Sequence, residues 1–411
     1  MSNKWELKPL IETIGEDALF TDGDWIESKD QDSNGEIRLV QLADILDGSF
    51  LQKSSRYMTL KKSEELRTTK LRKGDLLIAR MPEPIGRSCI FPGANQECVT
   101  IVDIAIARPT ECDNKWLMYY LNSPEVRGQI EERATGSTRK RISRSALADL
   151  EIKVPPLPEQ KKIAEILSGI DRAIEARSFL IQKAGKTLEA IKEELMNSTD
   201  KWQEFELGEL LLFKNGLNTE KENFGSGAPF VSYKDVYSGG IVTTKNLKQR
   251  VSLSEIEEER FSLKSGDILF TRTSETPEEI GFSCVFDDKY GNAVFNGFCI
   301  RGRPIEEGKL IPDFSSFYFK SDSVLSQMRF LCKYTTRAGI SAEALSKVKV
   351  RIPDQGTQKK IADSLIAVRE FCAIQGALVQ NLQNIKKSVS VDLLSGRKRV
   401  SNARVLEGVG V

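Results

Sequence analysis

The chain has 411 residues, 40% of them hydrophobic and 29% charged, and its 60 Lys and Arg balance 59 Asp and Glu to a formal net charge of +1. That composition belongs to globular domains, with length enough for two cores, and it excludes disordered, collagenous and polybasic chains. There is no histidine, which removes the usual general base, Ser-His and Cys-His nucleophile pairs as normally built, and most zinc sites.

The amino terminus, MSNKWELKP, lacks a signal-peptide apolar core, and no later stretch approaches the ~18 uncharged apolar residues of a membrane span, so a cytoplasmic protein is expected. Beyond it, short apolar runs at 74–79, 89–92 and 99–107 predict strands, and 114–121 and 124–133 predict helices packed on them, an α/β unit. Cys89 lies in one of these runs and is expected as a small core thiol; none of the seven cysteines forms a C-x-x-C pair or a metal-ligand spacing. A basic turn follows around Gly136, carrying Arg133, Thr138, Arg139, Lys140, Arg141 and Arg144.

After that turn the segment 142–167 reads ISRSALADLEIKVPPLPEQKKIAEIL, and 198 residues later 340–365 reads ISAEALSKVKVRIPDQGTQKKIADSL, in register without a gap. LRKGDLLIAR (71–80) likewise matches LKSGDILFTR (263–272), IGRSCIF (85–91) matches IGFSCVF (280–286), and WELKPL (5–10) matches FELGEL (205–210). A repeat this long duplicates a domain with its attached helix, so the expected fold is a tandem, pseudo-twofold pair of mixed α/β domains. The second copy predicts strands at 266–270, 284–286 and 293–300 and a helix at 314–330. The copies diverge between these anchors, which describes one scaffold carrying two different surfaces.

From Ile163 a 4,3 spacing runs through Leu167, Ile170, Ile174, Arg177, Ile181, Ala184, Leu188, Ile191 and Leu195, and the second copy gives Ile361, Leu365, Val368, Cys372, Gln375, Val379, Leu382, Lys386, Val389 and Leu393. Both segments are expected as coiled-coil helices, the first beginning near Pro158, the second capped by Asp354 or Thr357. Connection order makes them antiparallel. The polar seam residue falls at the same repeat position in both, Arg177 and Gln375, either fixing register or reaching toward solvent. The expected division is domain one at 1–155, helix one at 156–198, domain two at 199–353, helix two at 354–396 and a basic tail, expected to be solvated, at 397–411. A helix of this length spans about 57 Å, on the order of 15 base pairs of duplex, a geometry suited to a split DNA site.

Catalytic motifs fail in turn. Ala184-Gly185-Lys186-Thr187 lacks the earlier glycine of a phosphate loop and lies inside a helical repeat; Val154-Pro155-Pro156-Leu157 lacks the Asn and the aromatic of an adenine methyltransferase; and Glu151-Ile152-Lys153 pairs in the repeat with Lys349-Val350-Arg351, which has no carboxylate. No metal site is expected.

VPPLPEQKKIAEILSGIDRAIE, preceded by the G-S-T-R-K-R-I-S turn and followed by a heptad helix, closely resembles the specificity subunit of type I restriction-modification enzymes, across essentially the whole chain. The second copy departs from that pattern: IPDQGTQKKIA has lost the double proline and the glutamate, so its helix is expected to start differently. The resemblance implies a non-catalytic, sequence-specific DNA-binding subunit. Two target recognition domains would read the halves of a bipartite asymmetric target, and the helices would measure the spacer. Its partners would be double-stranded DNA, two methyltransferase subunits carrying S-adenosylmethionine, and restriction subunits using ATP and Mg. Two other readings are a non-catalytic scaffold whose duplicated domains bind protein, and a histidine-free methyltransferase or nuclease active without a partner, against which the missing motifs argue.

With so small a net charge, any footprint on DNA must be local. Thr138-Arg139 recurs as Thr336-Arg337 and is a candidate phosphate contact, the bland alternative being a solvated loop. Base readers are expected among Arg80 and Arg87 of the first copy and Lys214, Asn215, Lys234, Arg272 and Arg301 of the second. Arg80 and Arg272 are repeat equivalents, open to a phosphate or structural role.

Overall fold

In a computed structural model of the chain, the described residues are 5–136, 139–197, 202–289, 291–334 and 336–400. They form two compact units, one made of 1–177 with 377–411 and the other of 178–376.

The first unit is built on an antiparallel sheet in the order Leu19–Asp22, Ile104–Arg108, Leu76–Ala79, Ser88–Ile90. Its central strands are apolar on both faces because both are covered. On one side the helices Asn114–Leu121 and Pro124–Arg133 contribute Trp116, Leu117, Tyr120, Val126 and Ile130 to the larger core. On the other, Leu77, Ala79, Cys89 and Ile106 pack against a three-stranded sheet that includes Ile37–Val40 and Cys98–Thr100. Cys89 is a core residue, its thiol pushed up to about 12 by burial. The two helices occupy the residues expected of them. The expected strand 99–107 is instead two, because the chain turns at 101–104, where the amide of Ile104 donates to the carbonyl of Ile101.

The second unit repeats the plan with a five-stranded sheet, Leu211–Asn215, Cys299–Pro304, Asp267–Thr271, Ser283–Phe286, Gly240–Val242. The helix expected at 314–330 is two, Pro312–Tyr318 and Asp322–Leu331, separated by a turn in which Phe319 points into the core. In both units the amino-terminal strand pairs antiparallel with the strand entering the long helix: Glu6–Pro9 with Glu151–Val154, and Gln203–Glu206 with Lys349–Ile352.

The long helices run Leu157–Asn197 and Gln355–Leu394. Within the first unit, Ile163 and Leu167 share a core with Leu393 and Leu394, and Asp171 pairs with Lys386 at 2.5 Å. Residue numbers rise along one segment as they fall along the other, so the segments are antiparallel. Within the second unit, Leu188 and Ile191 pack against the cluster holding Ile361, Ala362 and Leu365. The 4,3 seam is visible in burial: Ile163, Leu167, Ile170, Ile174, Arg177, Ile181, Ala184, Leu188 and Ile191 are all buried or half-buried, as are Ile361, Leu365, Val368, Cys372, Gln375, Val379, Leu382, Lys386, Val389 and Leu393. The side chain of Leu195 lies outside the described residues.

The two helix starts differ as their sequences do. In the first, Glu159 accepts from the indole of Trp5, from the guanidinium of Arg399 at 2.7 and 2.8 Å and from the amide of Val400. In the second, Thr357 stands at that position and Asp354 caps the helix, accepting from the amide and hydroxyl of Thr357. The carboxyl-terminal basic run is therefore not simply solvated: Arg399 is held between Glu159 and the face of Trp5, 5.3 Å from the ring centre.

Candidate nucleic-acid interface

The repeat anchors turn out to be buried polar fixtures. Asp75 and Asp267 follow the shared glycine; each accepts from the amide three residues back and holds a bidentate guanidinium, Arg108 at 2.7 and 2.8 Å in one copy and Arg303 at 2.8 and 2.6 Å in the other. Gln160 and Gln358, the shared glutamine of E/T-Q-K-K, are also buried. Gln160 donates to the carbonyl of Pro155 and accepts from the amide of Asp113; Gln358 does the same with Pro353 and Ile311. Each pins the start of a long helix to its own domain.

Three of the expected DNA contacts belong to this interior framework and are corrected. Arg80 is 5% exposed; its guanidinium pairs with Asp22 and donates to the carbonyls of Ile142 and Val102. Arg87, also 5% exposed, donates to the carbonyls of Leu42, Ile45, Met81 and Pro84. Arg301 donates to the carbonyl of Ser262 and lies over the Phe295 ring. Burial pulls all three guanidinium groups below their ordinary pKa, Asp22 opposing the shift at Arg80. Arg272 repeats part of the Arg80 role, half-buried with its guanidinium 3.5 Å from the carbonyl of Gly297. Three further candidates are partly engaged: Arg133 with Gln129, Arg141 with Val102 and Asp103, and Lys214 with the carbonyl of Arg260 and the Phe261 ring. Burial, then the neighbouring Arg301, Arg260 and Arg303, lowers the Lys214 pKa.

Most of what remains is exposed at corresponding turns. Arg139, Lys140 and Arg144 are exposed in the first unit, where Thr135 and Arg141 pair antiparallel across the turn; Thr138 lies outside the described residues. In the second unit the turn becomes a hairpin, Lys333–Tyr334 against Ala338–Gly339, extended to a third strand by Thr273–Ser274, with Thr336 and Arg337 exposed at its tip. Asn215 and Lys234 are exposed elsewhere on that unit. The frame behind the turns is common: the amide of Ile142 donates to the carbonyl of Arg80, and that of Ile340 to Arg272.

Two α/β units on one frame, each closing on a long helix and offering a turn with exposed cations, define a duplicated recognition protein. The family described as "Type I restriction modification DNA specificity domain" matches residues 12–183 and 199–384, and the chain belongs to that family. It is 24% identical over 265 residues to the type I restriction enzyme EcoKI specificity subunit of Escherichia coli, a match covering 60% of this chain and 56% of the relative. It is also 24% identical to a putative type I restriction enzyme MjaX specificity subunit of Methanocaldococcus jannaschii, with 82% of each covered. Two solved structures share the fold: the type I restriction-modification S subunit from M. genitalium (TM-score 0.55, 16% identity, 96% and 97% covered) and the HsdS subunit from Thermoanaerobacter tengcongensis (0.51, 14%, 97% and 98%). Among the described residues no helix is long and apolar enough to cross a membrane.

Proposed function

We propose that the chain is the DNA-reading, non-catalytic subunit of a type I restriction-modification enzyme. Each unit reads one half of a bipartite asymmetric target, and the paired helices set the unspecified spacer. Methyltransferase subunits bring S-adenosylmethionine to the complex, and restriction subunits bring ATP and Mg. The observation that carries this reading is the repetition of buried fixtures beneath exposed turns that differ: Asp75 and Asp267, Gln160 and Gln358 do the same work, while Gly136 faces solvent at the position where the second copy places Tyr334. A frame kept twice under two surfaces suits a protein that must read two different sequences with one fold. Arg139 and Arg337 are phosphate contacts, because every target offers phosphates and these two cations are exposed at matching places, with Lys140 and Arg144 adding exposed charge beside the first.

The test is co-expression with a partner type I methyltransferase subunit and mapping of N6-methyladenine across the host genome. A bipartite motif with a fixed gap is expected. A stable complex that leaves no motif would overturn the reading in favour of a protein-binding scaffold.

A further inference from the structure

On the second unit, the loop leaving the central strand Asp267–Thr271, the tip of the 333–339 hairpin and the turn before Cys299–Pro304 meet around an open cleft of about 210 Å³ lined by Tyr233, Thr273, Ser274, Glu275, Glu279, Phe298 and Arg337. Its two carboxylates differ. Glu279 is held by the hydroxyls of Ser274 and Tyr233. Glu275 projects with a side chain 87% exposed and only a loose pairing, 4.0 Å, to Arg337, itself 63% exposed. Phe298 is 51% exposed beside them.

The corresponding positions of the first unit show what is particular here. The amide of Arg80 donates to the carbonyl of Asp103 as that of Arg272 does to Phe298, so Asp103 is the structural counterpart of Phe298. Asp103 pairs with Arg141, whose place in the second copy is taken by Gly339. Glu83 stands exposed three residues after Arg80, as Glu275 does after Arg272. The same frame thus carries a carboxylate over an ion pair in one copy, and a carboxylate beside an exposed phenyl ring in the other.

We infer that Glu275 and Phe298 are specificity-determining residues of the second unit, Glu275 accepting a hydrogen bond from the exocyclic amine of a cytosine in the major groove and Phe298 packing on an apolar base edge such as a thymine methyl. This deepens the proposed function and rests on it. A carboxylate beside the phosphate-contacting Arg337 repels the backbone, a cost that a base donor in the groove offsets, and among the major-groove edges cytosine N4 is the donor that acidic side chains read. Phe298 has no polar atom to orient and discriminates by apolar contact. Arg337 fixes the register and Glu275, held near it, tests the base.

The experiment is methylome mapping with the complex carrying the wild-type chain, Glu275→Ala, Glu275→Gln or Phe298→Ala, each checked for unchanged unfolding midpoint, as exposed positions allow. Glu275→Ala is expected to relax one position of one half-site, with discrimination there falling about 10-fold or more, while the other half-site and the gap stay as they were. Glu275→Gln is expected to shift preference at that position toward adenine, since an amide both donates and accepts. Phe298→Ala is expected to relax a neighbouring position of the same half. A wild-type motif retained at full stringency in all three variants overturns this inference alone; a wild-type complex that leaves no motif overturns the proposed function with it.

Discussion

Arginine carries opposite roles in this chain, and for Arg87 and Arg301 the repeat shows which. Arg87 aligns with Phe282 and Arg301 with Ile106, an aromatic and an aliphatic at the same frame positions, which marks both arginines as inward-facing. That signal lies in the sequence, set against the divergence between the copies, which points to base contact instead. Arg139 and Arg337 align with each other, as Arg80 and Arg272 also do, and it is their exposure that sets them apart. Arg337→Ala is therefore expected to leave stability unchanged, to weaken binding to all sequences alike, and to lower the slope of log affinity against log salt by about 1; titrations at several salt concentrations measure this, and an unchanged slope would remove the phosphate contact. Gln358→Leu should behave in the opposite way. It leaves the amide of Ile311 and the carbonyls of Pro353 and Lys309 unpaired in a buried place, a loss of about 3 kcal/mol readable by denaturant unfolding, with binding intact in whatever fraction stays folded.

At the scale of elements, the long helices were the most legible part, because a 4,3 seam over many turns has few alternative readings, and burial follows it residue by residue. The shorter elements were blurred where buried polar contacts interrupt an apolar run: the strand expected at 99–107 breaks at the turn whose Val102 carbonyl receives Arg80 and Arg141. Nothing in the periodicity announces a break made from another part of the chain. The helix starts show the same limit. Loss of the glutamate in copy two was visible, but not that Glu159 binds Trp5, Arg399 and Val400, residues far away in sequence. Burial raises the Glu159 pKa, but the bonds from Arg399, Trp5 and Val400 outweigh it, and the carboxyl lies below its ordinary 4.5. A carboxyl depressed in the folded state stabilises above its unfolded pKa and loses that contribution as pH falls through the folded value. The melting temperature of the wild-type chain should thus fall, on acidification below pH 4.5, more steeply than that of Glu159→Gln, and the two curves should differ most at neutral pH. Parallel curves would show that the clamp adds nothing.

For the whole molecule, the duplication matters because each copy joins a domain to a long helix through the same contacts. Among the described residues, each unit pins a long helix to its own domain through the same glutamine, so helix length and domain surface can change independently. If the helices set the spacer, adding one heptad to each, after Arg177 and after Gln375, keeps both seams in phase and lengthens each helix by about 10 Å. At ~3.4 Å per base pair the gap in the methylated motif should grow by about three base pairs, with both half-sites unchanged. A heptad in one helix alone leaves the seams unequal in length and should lower stability without defining a new gap. Methylome mapping of the double insertion decides the matter: a motif with its original gap would show that the spacing is set by the domains or by the methyltransferase subunits, and that the helices only hold the units together.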